Sequence, residues 1–163
     1  LSGVIHTTLC DTLRPASQNF RVGINNIPMI FIAHPQNANQ NTAQNMNAEQ
    51  TKVLNELEAI AGRKASDEGL HEAIRVYNEN RQAKREFVKN AGKHPELISA
   101  VQRSAVLKSS YFMEKPEHTI MLKELNRLLA IEPVVEWKGA KVVTSGIICD
   151  NPALLKIFDE YQI

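Results

Sequence analysis

The sequence predicts an α/β fold in which parallel strands at the two ends of the chain enclose a large helical middle. Three observations carry that reading. Two short runs rich in β-branched residues, 4–9 and 27–35, lie either side of a helix-start signal. From Glu49 to Ala130 apolar residues recur at helical spacing. A third β-branched run follows Gly139 and leads into a last helix. A β-α-β start, a helical insertion and a β-α return imply parallel strands. The division expected is 1–36 as the first β-α-β part, 37–138 as the helical segment, and 139–163 as the returning β-α unit.

The elements follow in order. Residues 4–9 form a strand ending at Cys10-Asp11, and Asp11 or Thr12 caps a helix running to Phe20, with Pro15 confined to its first turn. Residues 27–35, "IPMIFIAHP", are continuously apolar, as in a buried strand covered on both faces. Between Gln36 and Gln50 nine of fifteen residues are Asn or Gln, which reads as a loop feeding a helix. That helix is secure by Glu49 and stops at Gly62. Ser66 caps the next helix ahead of Asp67 and Glu68. Its apolar stripe is Leu70, Ala73, Ile74, Tyr77, Phe87 and Val88. Further helices are expected over 95–113 and 117–130, with Tyr77, Tyr111 and Phe112 in the core or an interface. "AKVVTSGIICD" reads as a buried strand entering a Gly-containing loop, and Asn151 or Asp150 caps a final helix with Pro152 at its first position. The whole is an open sheet of the Rossmann/flavodoxin-like kind. Such sheets bind ligands at the carboxyl edge of the strands, where Cys10 and Cys149 both fall.

Composition narrows the function. At 163 residues, 43% hydrophobic and 23% charged, the chain has the size and balance of one ordinary domain. No apolar run reaches the roughly 20 residues of a membrane span, so no membrane partner is expected. The start lacks both a signal-peptide pattern and an initiator Met, and the chain is expected to be a piece of a longer one. Net charge is +1 without a block of basic residues, which argues against nucleic acid. The basic residues of "NRQAKREFVK" read as a solvated helix face. Two cysteines make no disulfide framework, and a reducing, cytoplasmic setting is expected. There each cysteine is inert core, a metal ligand or a nucleophile. Five histidines show no metal-ligand spacing, and neither a GxxxxGK[ST] loop nor a GxSxG element is present.

"CDTLRP" (10–15), "PMIFIAHPQN" (28–37), "LHEAIRVYNENRQAKREF" (70–87) and "TSGIICDNPALLKIFDE" (144–160) resemble, in this order, segments of the D-component family of 2-hydroxyglutaryl-CoA dehydratase. Its relatives are other 2-hydroxyacyl-CoA dehydratases and benzoyl-CoA reductase. The resemblance implies a lyase of anaerobic metabolism that holds a [4Fe-4S] cluster through three cysteines. One electron, delivered by an ATP-dependent iron–sulfur activator protein, reduces an acyl-CoA thioester to a ketyl radical. The 2-hydroxyl then leaves, with syn loss of water giving a 2-enoyl-CoA. A heterodimer of related subunits is implied, and the acyl-CoA is the substrate. The protein supplies binding, orientation and exclusion of water.

The same resemblance makes Cys10 a cluster ligand, against the reading of an inert thiol ending a strand. Cys149 stands where the family usually has another residue, and is a weaker ligand candidate, a pocket-lining thiol or core. The first and last cluster cysteines are expected before Leu1 and after Ile163, so the chain alone is expected to lack the cluster and to be inactive. His34, at a strand end, faces the substrate or is a satisfied structural histidine. Ser145 and Gly146 offer loop amides to a thioester oxygen or make a plain turn. Asn78, Asn80 and Arg81 read mainly as surface or inter-domain hydrogen-bonding residues. The alternative function is a non-catalytic relative that holds a cluster for electron transfer or as a scaffold.

Overall fold

The computed structural model describes residues 2–35, 37, 39–145 and 149–163. It is an α/β structure with a two-stranded parallel sheet and six helices among the described residues. The chain divides into two compact units, Leu1–Gly69 and Leu70–Ile163.

The first unit runs β1 (Val4–Thr7), α1 (Leu13–Gly23), β2 (Met29–Ile32) and α2 (Thr42–Ala61). A helix between two neighbouring parallel strands is the crossover that parallel pairing requires. Val4 pairs with Met29 and Thr7 with Ile32. The Val4 N–H donates to the Pro28 carbonyl (2.9 Å) and the Thr8 N–H to that of Ile32 (3.2 Å). Ile30 and Val53 are buried, as are the polar side chains of Ser17 and Thr8. The continuous apolar run around β2 predicted burial on both faces; Ile30 alone of the four strand residues is fully buried. Helix α2 starts at Thr42, seven residues ahead of Glu49, by which the sequence makes the helix secure, because side chains organise its amide-rich start. Thr42 Oγ1 donates to the Asn37 carbonyl and accepts from the Asn39 N–H, both at 2.8 Å. Its end is as expected: Gly62 takes a left-handed conformation (φ 66°) that costs a glycine little.

The second unit holds most of α3 (Asp67–Ala91), with α4 (Ala100–Ser109), α5 (Lys115–Ile131) and α6 (Pro152–Glu160). The Ser66 hydroxyl caps α3 as predicted, accepting from the Gly69 N–H (3.1 Å). The predicted stripe of α3 is wrong at most positions, since Leu70, Ile74, Tyr77 and Val88 are exposed. The buried seam is instead Asn80, Ala83, Phe87 and Ala91, still at helical spacing but opened by an amide. Asn80 is therefore interior, not a surface residue. Its Nδ2 donates to His118 Nδ1 (2.8 Å) and Thr119 Oγ1 (2.9 Å) on α5. Ile98, Leu122 and Leu129 complete the core around Phe87.

Helix α4 begins at Ala100 and not at Pro95, because Ser99 caps it there and makes a reciprocal capping box with Gln102. The Asp159 carboxylate of α6 adds a second cap, accepting from the Ala100 N–H (2.5 Å) and the Val101 N–H (3.3 Å). Asn151 caps α6 as predicted. The strand predicted after Gly139 is not formed among the described residues: 141–145 are irregular and Val143 is 97% exposed. A β-branched run becomes a strand only where it finds a pairing partner. Tyr111 and Phe112, expected in a core or interface, are likewise exposed.

Candidate functional site

Cys10 is exposed and carries a free thiol two residues beyond the buried Thr8, in the turn from β1 into α1. Its carbonyl accepts from the Leu13 N–H (3.2 Å), which closes the turn. Neither acid nor hydroxyl caps the helix start. Thr12 occupies the N-cap position with helical φ/ψ, and its side chain makes no capping bond. The capping reading of Asp11 and Thr12 is thereby overturned, and among the described residues the positive end of α1 carries no side-chain cap.

The end of β2 is tied to the end of β1 by one hydroxyl. Thr8 Oγ1 accepts from the His34 N–H (2.8 Å) and donates to the His34 carbonyl (3.4 Å). His34 is half-buried there, in the same unit as Cys10. The opposite edge of β2 is satisfied by α2. The Ala33 N–H donates to Glu49 Oε2 (3.2 Å), and Lys52 Nζ approaches the Phe31 carbonyl (3.5 Å). The strand-end loop bearing Cys10 is thus anchored by side chains as well as by the ladder.

The other sequence-derived candidates lie in the second unit. Ser145 is exposed, and Gly146 lies outside the described residues. Cys149 is a free, half-buried thiol. Residues 141–145 ahead of it are irregular, and 146–148, where its strand was expected to end, lie outside the described residues. It lines a cleft of about 1100 Å³ together with residues of α3, α4 and α6. Asp150 lines the same cleft and pairs with Lys108 (2.6 Å).

The donor set can be compared with what an iron–sulfur cluster requires. A cluster takes thiolates that solvent and iron can reach. Cys10, exposed and unbridged, fits as one such ligand; Cys149, half-buried, fits less well. Among the described residues no three His, Cys, Asp or Glu side chains gather into a metal-binding group. Sequence reading missed Thr8, Glu49 and Lys52, which position the strand ends. The only signal was a Thr closing a β-branched run and an acid–base pair at i, i+3 on the helix that follows.

The family model for the 2-hydroxyglutaryl-CoA dehydratase D-component matches residues 1–163. The chain belongs to that family. It is 46% identical to the (R)-2-hydroxyglutaryl-CoA dehydratase beta subunit of Acidaminococcus fermentans, covering 100% of this chain and 44% of that protein. It is 42% identical to the lactoyl-CoA dehydratase beta subunit of Anaerotignum propionicum, and 39% identical to the (R)-phenyllactyl-CoA dehydratase beta subunit of Clostridium sporogenes. Both alignments cover 100% of this chain and 43% and 44% of those proteins. The chain thus spans less than half the length of the D-component relatives it matches. No helix among the described residues is long and apolar enough to cross a membrane.

Proposed function

We propose that this chain is part of a 2-hydroxyacyl-CoA dehydratase subunit in which the Cys10 thiolate is one ligand of a [4Fe-4S] cluster. The observation that carries the reading is the position of Cys10: exposed, unbridged, and in the carboxyl-end loop of a strand in a parallel pair. A cluster held there supplies single electrons of the kind that reduction of a thioester carbonyl needs. The chain's own residues build the support. Thr8 fixes the His34 backbone against the end of β1, and the uncapped start of α1 leaves its positive end facing a negatively charged centre. His34 stands at the same edge, where it can orient a substrate. The loop of Ser145 and Gly146 is a second candidate for substrate contact.

The parent protein then removes water from a 2-hydroxyacyl-CoA to give a 2-enoyl-CoA. Three relatives are named as beta subunits, which supports a heterodimer with a related subunit. A separate ATP-dependent iron–sulfur activator delivers the electron, and the remaining cluster cysteines come from other parts of the parent. Two cysteines, both free, are in keeping with a reducing cytoplasm. The two-stranded sheet is one part of a larger Rossmann/flavodoxin-like sheet.

The test is anaerobic purification of the parent protein with iron and sulfide measured in wild type and Cys10→Ala. Loss of cluster iron in the variant, with the fold intact by circular dichroism, is expected. Unchanged iron and sulfide content would sink the ligand assignment.

A further inference from the structure

The cleft of the second unit gathers charge that the sequence scatters. Six of the chain's 19 basic side chains line it: Arg81, Lys84, Arg85, Arg103, Lys108 and Lys141. Asp150 is the single acid on its walls among the described residues, and it is already paired with Lys108. No carboxylate among the described residues lies within ion-pair distance of Lys84, Arg85, Arg103 or Lys141. Burial, then the neighbouring charges of Lys115 and Arg81, push the Lys84 ammonium below its ordinary value, as expected of cations crowded without a counter-ion.

The arrangement is built, not incidental. Asn80, Ala83, Phe87 and Ala91 fix one face of α3 in the core, and this sets Arg81, Lys84, Arg85 and Val88 along the cleft. The "NRQAKREFVK" stretch is therefore only in part a solvated face. Trp137 makes part of another wall. Its Nε1 donates to the Ala140 carbonyl (3.3 Å), and the Ala140 N–H donates to Gln162 (2.9 Å). A Cβ at Gly139 would overlap the Gln162 carbonyl and come within 2.6 Å of the Trp137 ring, so the wall closes only around a glycine. Tyr111 and Phe112 are exposed aromatic rings in the same lining.

We propose that this cleft binds the polyphosphate end of a nucleotide, with the unpaired cations on the phosphates and an aromatic ring against the base. Several cations without carboxylate partners call for more than one anionic group, and guanidinium groups suit phosphate oxygens in particular. Aromatic rings beside them suit a flat, apolar base. A volume of about 1100 Å³ accommodates such a ligand. The chemistry has two sources: the 3′-phosphoadenosine diphosphate end of a CoA thioester, or a free adenine nucleotide. The CoA source rests on the dehydratase reading; the anion site does not.

The experiment titrates the anaerobically purified parent protein, with its partner subunit, calorimetrically with CoA, 3′,5′-ADP, ATP and inorganic tripolyphosphate. A Lys84→Gln/Arg103→Gln double variant is compared with the charge-conserving Lys84→Arg/Arg103→Lys. The readout is the part of binding that these substitutions change, so a second place for CoA elsewhere does not confuse it. Wild type is expected to bind a nucleotide, and the neutralised variant to bind it about 100-fold or more weakly, as for two lost charge-assisted hydrogen bonds. The charge-conserving variant should retain most of the affinity, which separates lost charge from lost fold. Sensitivity with CoA and 3′,5′-ADP alone identifies the CoA end; sensitivity with ATP identifies a free nucleotide. Binding equal in wild type and the neutralised variant, no nucleotide bound at millimolar concentration, or tripolyphosphate bound as tightly as any nucleotide each overturns the proposal. Iron measured on the same preparations keeps the two readings apart, since Cys10→Ala tests only the cluster and the cleft variants test only the anion site.

Discussion

Removing the Asn80 side chain should loosen the helical unit more than any exposed substitution on α3. Asn80 is buried, and its neighbours define which atoms donate. Thr119 Oγ1 donates to the Lys115 carbonyl (2.7 Å), so it accepts from Asn80 Nδ2. Ser109 Oγ donates to the Val106 carbonyl (2.7 Å), so it accepts from the His118 Nε2–H (3.1 Å). His118 Nδ1 is then the acceptor of the second Asn80 N–H. Asn80→Ala loses two hydrogen bonds, worth about 1 kcal/mol each net, and leaves His118 Nδ1 buried without a donor, for a further 1–3 kcal/mol or so. We expect about 3–5 kcal/mol in all, read as roughly 150- to 5000-fold faster amide exchange at the most protected positions of α3 and α5. His118→Ala should be strongly non-additive with it, with a coupling of about 1–3 kcal/mol. A loss under about 1 kcal/mol, or strict additivity, would refute the network as the clamp between these helices.

Three further outcomes follow from single contacts. Asp159→Ala should cost about 1–2 kcal/mol, as for a lost helix cap, and should speed exchange in the first turn of α4; unchanged exchange there would show that Ser99 caps the helix alone. The Lys64 hydrogen bond, with that of the Ala65 N–H, holds the Glu58 carboxyl below the ordinary glutamate range. A pKa lowered on folding stabilises in full above the unfolded value, about 4.3, and is lost as pH falls through the folded one; Glu58→Gln should flatten that acid limb in urea titrations of wild type and variant. Thr8→Val keeps shape but strips the His34 N–H of its acceptor, so it should cost about 1–3 kcal/mol and raise His34 amide exchange, measured by NMR.

Local signals made much of the fold legible. Gly62, Ser66 and Asn151 mark helix ends by their own backbone or side-chain chemistry, and all three perform as read. Segments that depend on partners were not legible. The β-branched residues Val142, Val143 and Thr144 look like a strand, yet what makes a strand is another strand beside it, and periodicity cannot supply one. The α3 seam was misread at Asn80 because an amide becomes interior only when a histidine and a threonine 38 and 39 residues away satisfy it. In the first unit Cys10 was visible through its motif, whereas Thr8 was not, since its role is to hold a backbone 26 residues distant. The cationic cleft was hidden for a similar reason. Arg81, Arg103 and Lys141 are far apart in sequence, and only the packing of α3 and α4 with the segment after α5 assembles them.

The edges of the small sheet bear on where it can grow. Strand alternation turns the backbone groups of Val4, His6 and Thr8 toward β2, and those of Ile5 and Thr7 toward the other side of β1. On β2, Pro28 and Ile32 face β1, while Phe31 and Ala33 face outward and are taken up by Lys52 and Glu49 of α2. A third strand beside β2 would have to displace those side chains; beside β1, no side chain among the described residues bonds the outward backbone groups of Ile5 and Thr7. A larger sheet would thus add its next strand at β1, making β1 internal and placing Cys10 at the point where connections leave in opposite directions, the usual ligand crevice of an open α/β sheet. Amide-resolved hydrogen exchange on the parent protein decides this. Protection of Ile5 and Thr7 equal to that of His6 is expected; fast exchange at both, with His6 protected, would leave β1 at an edge and remove the crevice.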